Sequence, residues 1–225
     1  MNSPGGSCFK LKRVAVFGGS FDPVHVGHLT IARRLTELFQ LDKFVFLPAF
    51  HAPHKPDRNP TSAYHRFAML TIATQNDPEA LVSTLELEKG QTRYSVETIP
   101  ELKDIYGGAK LFFVMGADSW TDIKTWKNWE DVLTMTDHIV VSRPGYQLNV
   151  EHVTDEIRPR IVDLRGAQFD LKRSERERRS IYFTDSIFFD TSSTELREDL
   201  SDGVLDSEED LPIEVANYIE KYNLY

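Results

Sequence analysis

Short apolar runs alternate with amphipathic stretches along most of the chain. Residues 14–17 form a β-branched and aromatic run that ends at Gly18 and Gly19, which predicts a buried strand followed by a tight turn. Over residues 26–39 the apolar side chains recur at helical spacing, which predicts an amphipathic helix. Residues 44–47 then predict a second buried strand. The start of the chain therefore predicts a strand–helix–strand unit with a parallel pair of strands.

The same alternation continues to the end of the chain. Further strands are predicted from apolar or alternating runs at residues 81–88, 111–115, 138–142, 181–183 and 187–189. Further helices are predicted after a cap at Thr61 or Ser62, over 95–106 with a disturbance at Pro100, after Ser192, and over 212–222. This order of elements predicts an α/β protein with a doubly wound parallel sheet, in which residues 13–225 form a single domain with a small C-terminal helical part.

Three segments do not fit this pattern. Residues 1–12 contain Pro-Gly-Gly-Ser and no apolar h-region, so we expect a flexible leader and not a signal peptide. Residues 48–60 hold four prolines, two histidines and a lysine, which is typical of a functional or disordered loop. The charged stretch 150–180 is interpreted as a solvated surface segment.

Composition and charge narrow the class of protein. Hydrophobic residues make up 40% and charged residues 27%, as in ordinary soluble proteins, and no apolar run approaches the ~20 residues of a spanning helix. The net charge of −9 argues against a general nucleic-acid or membrane surface, although a local basic pocket can oppose it. Cys8 is the single cysteine, which excludes an intramolecular disulfide and predicts a reducing, cytoplasmic compartment.

Residues 18–28, between the first strand and the first helix, have the parts of an anion site. Their spacing is neither GxGxxG nor that of a P-loop, but glycines and a helix N-terminus both favour bound phosphate. His25 and His28 are three apart and would share one face of the first helical turn, where two imidazoles suit phosphate oxygens or a metal. A metal would need a third ligand, and a histidine taken alone is more often structural. The preceding glycines favour the functional interpretation.

Other candidate residues follow later strands or open later helices. Ser193 and Thr194 can cap a helix whose free N–H groups face an anion, with Arg197 one turn on; an ordinary cap with a surface arginine is the alternative. Asp118 follows a strand end and suits a ribose hydroxyl, or it caps the next helix. Arg143 is a basic candidate that could equally be a strand-end residue in a turn.

Residues 19–28 match the pattern GSFDPxHxGH, which resembles the signature of the nucleotidyltransferase superfamily. Further motifs in the same order resemble one family within it, the bacterial nicotinate-nucleotide adenylyltransferases. These motifs are Pro53-His54-Lys55, Tyr94-Ser95, Gly116-Ala117-Asp118-Ser119, Trp126, Arg143-Pro144-Gly145-Tyr146, Ser192-Ser193-Thr194-Glu195-Leu196-Arg197 and the tail residues Leu224-Tyr225. The resemblance covers residues 13–225.

This resemblance implies a Rossmann-like nucleotidyltransferase fold and transfer of AMP from ATP to nicotinate mononucleotide, with Mg²⁺ bound through the ATP phosphates and no protein metal ligand. His25 and His28 would be catalytic. The implied ATP-binding residues are Gly18, Gly19, Ser20, Phe21, His25, His28, Asp118, Arg143, Ser193, Thr194 and Arg197. The implied nicotinate mononucleotide-binding residues are Lys55, Tyr94, Ser95, Trp126 and Lys127, the last through its backbone N–H.

Several alternatives stay open at this point. The acceptor could be nicotinamide mononucleotide or, as in a sister family, phosphopantetheine. A non-catalytic nucleotide-binding protein would be expected to lose one of the two histidines, and an HxxH metallohydrolase would need a third ligand. Trp126 could be a core tryptophan, as its residue type favours, and Lys55 an ordinary solvated loop residue. The expected partners are the two small-molecule substrates, with no nucleic acid and no membrane, and the sequence allows a homo-oligomer.

Overall fold

The computed structural model describes residues 13–53, 60–142, 148–166, 179–185, 193–202 and 210–225. Its strands are Arg13–Gly19 (β1), Lys43–Pro48 (β2), Ala80–Val82 (β3), Lys110–Gly116 (β4), Asp137–Val141 (β5), Ile161–Asp163 (β6) and Ile181–Thr184 (β7). Its α-helices are Val26–Phe39 (α1), Ala63–Thr74 (α2), Leu85–Lys89 (α3), Ser95–Ile105 (α4), Ala117–Thr121 (α5), Trp129–Met135 (α6), Ser193–Ser201 (α7) and Ile213–Tyr222 (α8). Short 3₁₀ turns cover Ile123–Thr125 and Arg158–Arg160.

All the strands belong to one sheet in the order β3-β2-β1-β4-β5-β7-β6, and each neighbouring pair is parallel. The predicted doubly wound parallel sheet is therefore confirmed. The strand order reverses between β1 and β4, so the carboxyl ends of these two strands flank the topological switch point. Ligands of open α/β sheets bind in the crevice at that point.

The alternating side chains of β1 divide the core into two layers. Ala15 and Phe17 face one side of the sheet, in a cluster that includes Leu35 and Phe39 of α1. Val14 and Val16 face the other side, in a cluster that includes α4 and β4 residues. Because both faces of each central strand are covered, these strands consist of continuous apolar runs, which is why the sequence identified them.

Three predictions of local structure are wrong. Residues 81–88 do not form one strand, because β3 ends at Val82 and α3 follows until Gly90, whose φ of +61° closes the helix in the left-handed conformation. α4 continues through Pro100, since Ile99 and Leu102 beside it are fully buried and packing outweighs one lost hydrogen bond.

The third concerns the start of α2. Ser62 is the N-cap residue, but its side chain makes no capping hydrogen bond. Helices α5 and α6 and strand β6 are short and were not predicted from the pattern. The remaining predicted strand, 187–189, lies outside the described residues, as does the expected leader 1–12.

Candidate active site

The segment that joins β1 to α1 forms the floor of the candidate site at the switch point. Gly18 and Gly19 are the last residues of β1, and Phe21 after them is buried with a φ of +50°. A Cβ atom at Gly19 would lie 2.9 Å from the ring of Phe21, closer than side-chain carbons approach. Glycine fits here because the ring of Phe21 packs against the backbone of Gly19. The sequence predicted that this glycine lets the backbone approach a ligand, whereas the structure shows that it makes room for the Phe21 ring.

His25 and His28 are brought together at the start of α1, as predicted. His25 is the N-cap residue, and its backbone N–H donates to Nδ1 of His28 at 3.3 Å. The two ring centroids lie 3.8 Å apart. Since Nδ1 of His28 accepts this bond, a neutral His28 ring carries its proton on Nε2, which becomes a donor.

Aromatic contacts fix the orientation of His28. Its ring lies edge-on to Phe21, with 5.0 Å between the centroids, and tilted against Phe17 at 6.0 Å. His25 is buried, whereas His28 is half-buried. An imidazole held in this way keeps one geometry without relying on a ligand, which is the condition for preorganised stabilisation of charge.

Residues of α7 contact the signature segment directly. The hydroxyl of Ser193 donates to the carbonyl oxygen of Pro23 at 3.1 Å, and the guanidinium of Arg197 donates to the carbonyl oxygen of Asp22. Arg197 also donates to the hydroxyl of Thr194 at 3.1 Å. Arg197 therefore lies beside the signature segment. The hydroxyl of Ser193 bonds to this segment rather than capping α7, because Ser193 is already the first helical residue.

Asp118 and Trp126 both follow strand β4 in the chain. Gly116 is the N-cap residue of α5, so Asp118 does not cap this helix. Asp118 is exposed, and a Cβ atom at Gly116 would lie 2.5 Å from its carboxylate.

Trp126 is half-buried and touches Phe113 edge-on, with 6.4 Å between the ring centroids. Trp120, in contrast, is fully buried and donates its Nε1–H to the carbonyl oxygen of Asn149 at 2.8 Å. The core tryptophan is thus Trp120, and Trp126 keeps part of its ring accessible.

Tyr94, Ser95 and Lys127 form a neighbouring group at the start of α4. Tyr94 is the N-cap residue, and its backbone N–H donates to the carboxylate of Glu97 at 3.3 Å. The ammonium of Lys127 lies 4.6 Å from the centre of the Tyr94 ring and 2.7 Å from a carboxylate oxygen of Glu97. The hydrogen bond to Lys127, and then that from the Tyr94 backbone, lower the pKa of Glu97, and the same ion pair raises the pKa of Lys127. These contacts hold the segments around Tyr94 and Trp126 next to each other.

Two predicted site residues, Lys55 and Arg143, lie outside the described residues. One important residue was not predicted. Arg66 on α2 is almost completely buried, and its guanidinium donates to the carbonyl oxygens of Ser20 and Ala49, at the carboxyl ends of β1 and β2. The sequence does carry a signal for the burial of Arg66. It lies three residues after Ala63 and four before Leu70, and this helical spacing places it on the buried face of α2.

A cavity of about 260 Å³ lies at the opposite edge of the sheet, where β4 and β5 begin. Two of its basic residues bond to carbonyl oxygens near the end of α6: Lys103 to Met135 at 3.3 Å and Arg179 to Thr134 at 2.7 Å. Cations at the C-terminal end of a helix offset its dipole. Stabilisation of α6 therefore explains why Lys103 and Arg179 lie here, without a bound ligand. The candidate active site is therefore the carboxyl edge and not this cavity.

Comparisons with known proteins identify the family. A family model described as cytidylyltransferase-like matches residues 16–199. A relative in Thermoanaerobacter sp. (strain X514), named a probable nicotinate-nucleotide adenylyltransferase, is 36% identical over 214 residues, which are 95% of this chain and 94% of the relative. The chain belongs to the nicotinate-nucleotide adenylyltransferase family. The resemblance noted in the sequence is therefore confirmed.

Two further comparisons are consistent with membership of this family. A Mycolicibacterium smegmatis protein of the same name is 40% identical over 141 residues, 63% of this chain and 66% of the relative. The structure of Plasmodium falciparum nicotinic acid mononucleotide adenylyltransferase complexed with NaAD superimposes with a TM-score of 0.67 at 21% identity, covering 95% of this chain and 97% of that one. At this identity the superposition supports the fold alone. The expected Rossmann-like nucleotidyltransferase fold is confirmed.

Two properties of the described residues concern a metal site and a membrane span. Within these residues, His, Cys, Asp and Glu side chains do not form a group of three or more that could hold a metal ion. Among the helices of the described segments, none combines the length and the apolar character needed to cross a membrane.

Proposed function

We propose that the protein transfers the adenylyl group of ATP to the phosphate of nicotinate mononucleotide, giving nicotinate adenine dinucleotide and pyrophosphate. The observation that supports this most strongly is the pair His25 and His28, fixed at the start of α1 within the motif that characterises the family. The site lies at the switch point of the sheet, where nucleotides bind in open α/β folds.

The chemistry needs positioning and charge neutralisation more than proton transfer. An oxygen of the acceptor phosphate forms a bond to the α-phosphorus of ATP, and the bond from that phosphorus to the bridging oxygen of pyrophosphate breaks. The attacking phosphate is already an anion near neutral pH, so it needs no strong general base. Correct alignment of two bound substrates can supply about 7–11 kcal/mol of the barrier. Mg²⁺ would enter with ATP and reduce the charge on its phosphates.

The histidines would act on the ATP phosphates. A neutral His28 ring presents its Nε2–H as a donor, because Nδ1 already accepts from the His25 backbone. Donation to a phosphate oxygen that gains negative charge in the transition state lowers the barrier. Gly18, Gly19, Ser20 and Phe21 would shape the backbone around the nucleotide.

The remaining ATP contacts would come from other elements around the same edge. Asp118 at the end of β4 suits a ribose hydroxyl. Ser193, Thr194 and Arg197 would contribute at the phosphates, and Arg143 would add a further charge. The guanidinium of Arg197 already donates to the carbonyl oxygen of Asp22, so a bound phosphate would accept a hydrogen bond from the same guanidinium.

The nicotinate mononucleotide site would lie between the start of α4 and the segment around Trp126. The accessible part of the Trp126 ring offers a stacking surface for the nicotinate ring. Tyr94 and Ser95 stand at a helix N-terminus, where backbone N–H groups and the helix dipole favour a carboxylate. The backbone N–H of Lys127 would be a second donor, and Lys55 would face a phosphate.

The direct test is pyrophosphate release in the presence of ATP and Mg²⁺, with the dinucleotide product identified by mass. Parallel reactions contain nicotinate mononucleotide, nicotinamide mononucleotide or phosphopantetheine as acceptor, and CTP replaces ATP in a control. Turnover with ATP and nicotinate mononucleotide, and much weaker turnover with the amide, is the expected result. Equal turnover on acid and amide would replace the proposal by a dual-specificity enzyme. Folded protein without turnover on the acid would contradict it.

The cytoplasmic setting and a homo-oligomeric state stay predictions from the sequence. Small-molecule substrates are the expected partners, and a basic site within a chain of net charge −9 is consistent with selective binding of small phosphates over nucleic acid.

A further inference from the structure

Arg66 is a buried cation without a hydrogen-bonded acidic partner among the described residues. Its side chain is 1% exposed, and its guanidinium donates to four backbone carbonyl oxygens. The distances are 2.8 Å to Thr61, 2.6 Å to Ser20, 2.7 Å to Ala49 and 3.0 Å to Phe50. Burial lowers the pKa of Arg66, which shows that the charge is held there at a cost in solvation.

Three of the four carbonyl groups belong to the two loops that follow β1 and β2. Ser20 lies in the signature segment after β1, and Ala49 and Phe50 follow β2. The two loops also touch directly, because the backbone N–H of Ala49 donates to the carbonyl oxygen of Gly19 at 2.9 Å. A planar guanidinium with a fixed fork of N–H groups can hold several carbonyl oxygens in one arrangement, whereas a lysine ammonium cannot match that geometry.

Within the signature segment, Asp22 is held by Tyr225. The phenol of Tyr225 donates to the carboxylate of Asp22 at 2.7 Å, and Asp22 is buried. Burial raises the pKa of Tyr225 far above its ordinary value, so the phenol stays a neutral donor. The charge of Asp22 favours the charged form of Arg66 and opposes the effect of burial on it. Arg66, Asp22 and Tyr225 therefore form one group at the segment that leads to His25, in which Arg66 and Asp22 are buried and Tyr225 is half-buried.

We propose that Arg66 is a positioning residue: by holding the carbonyl oxygens of Ser20, Ala49 and Phe50 together, it places His25 and His28 against the phosphates of bound ATP. This inference rests on the proposed function. Arg66 is not a catalytic residue, since its N–H groups are directed to the backbone. Its contribution is made through the loops, and Tyr225 supports the same signature segment through Asp22.

The test is the substitution R66K, which keeps the charge but loses the fork of donors. Arg34, an exposed residue of α1, provides the matched control R34K. Both variants are assayed well below their own unfolding temperatures, and rates are expressed per folded molecule. We expect kcat of R66K to fall about 10- to 100-fold, because small displacements of catalytic groups have effects of that order. The KM for ATP should change less than about threefold, and R34K should match the wild type.

Y225F provides a second, milder variant that keeps the ring and removes only the O–H donor to Asp22. We expect kcat to fall about 2- to 10-fold, in line with the loss of one hydrogen bond. The double variant R66K/Y225F should lose less than the product of the two single effects, because both residues act on one loop.

A folded R66K protein with the kcat of the wild type would overturn the proposal. If R66K does not fold, an unchanged kcat in Y225F overturns it and the expected fall supports it. A loss of activity in R66K that disappears after correction for the folded fraction would show a purely structural role and would also overturn it. Failure of the proposed function is a separate result, since the wild-type protein would then show no turnover in the same assay.

Discussion

The backbone N–H of His25 donates to Nδ1 of His28 at 3.3 Å, and the two rings are tilted by 39° with their centroids 3.8 Å apart. This relationship couples the N-cap of α1 to the side chain that we assign to the ATP phosphates. The helix start and the proposed catalytic group are thus one local structure, and the proton of a neutral His28 ring lies on the nitrogen that is directed away from the cap.

The substitution H28A removes this donor. We expect kcat to fall about 10²- to 10³-fold, as when a preorganised donor to a developing charge is lost. The measurement is steady-state pyrophosphate release, with the unfolding temperature recorded for each variant. H65A is the control, because His65 makes one comparable hydrogen bond, to Tyr218 at 2.9 Å on α8. Turnover of folded H28A at the wild-type level would contradict the role of His28.

The two tryptophans Trp126 and Trp120 should respond in opposite ways to alanine substitution. In W126A, loss of a stacked ring worth about 1–3 kcal/mol should raise the KM for nicotinate mononucleotide about 5- to 150-fold, with little change in stability. In W120A, loss of a fully buried ring should cost about 3–5 kcal/mol of unfolding free energy. Urea unfolding and substrate titration separate the two effects. An unchanged KM in W126A would contradict the stacking role.

His138 on β5 makes the fold sensitive to acid. It is fully buried, and desolvation lowers its pKa from 6.5 to about 3. Below pH 6.5 the unfolded chain therefore binds a proton that the folded chain does not bind. The stability contributed by a neutral His138 is present above pH 6.5 and is lost as the pH falls toward 3, by about 1.4 kcal/mol per pH unit.

The variant H138N tests this dependence, because an asparagine amide can still donate to the carbonyl oxygen of Thr136, which lies 3.2 Å from Nδ1 of His138. We expect the unfolding free energy of H138N to vary less with pH between 4 and 6.5 than that of the wild type. Urea denaturation at several pH values measures it. Parallel pH profiles of the two proteins would show that another group controls the acid sensitivity.

Glu86 and Thr98 connect α3 to α4 below the proposed nicotinate site. The hydroxyl of Thr98 donates to the buried Glu86 carboxylate at 2.9 Å, and burial raises the pKa of Glu86. T98V should cost about 1–3 kcal/mol at neutral pH, because it leaves a buried acceptor without this donor. The control T71V removes an exposed helical hydroxyl.

The cost of T98V should depend on pH. A carboxyl group with a raised pKa in the folded state destabilises the fold as the pH rises from 4.5 through that pKa, and loss of the Thr98 donor enlarges this effect. The difference between T98V and the wild type should therefore be larger at pH 7 than at pH 4. A difference that does not vary with pH would contradict this account of Glu86.

Much of the fold could be predicted from local sequence alone. β1, β2 and β4 contain continuous apolar runs because both faces of the sheet are covered, and α1 was predicted with its observed bounds because its amphipathic pattern is regular. α3 was not predicted, since five residues carry too little periodicity to distinguish a helix turn from a strand. α4 continues through Pro100 because of tertiary packing, which no local rule includes.

The sequence by itself determined most of the order of strands and helices, the family motif with its two histidines, and a helical spacing that puts those histidines on one face. These properties depend on residues close together in the chain. The tertiary structure alone decided which tryptophan is buried, that Arg197 reaches the carbonyl oxygen of Asp22, and that Arg66 and Tyr225 meet below the signature segment. Such contacts join residues far apart in sequence, and only the packing of α2, α7 and the chain after α8 against the sheet brings them within hydrogen-bonding distance.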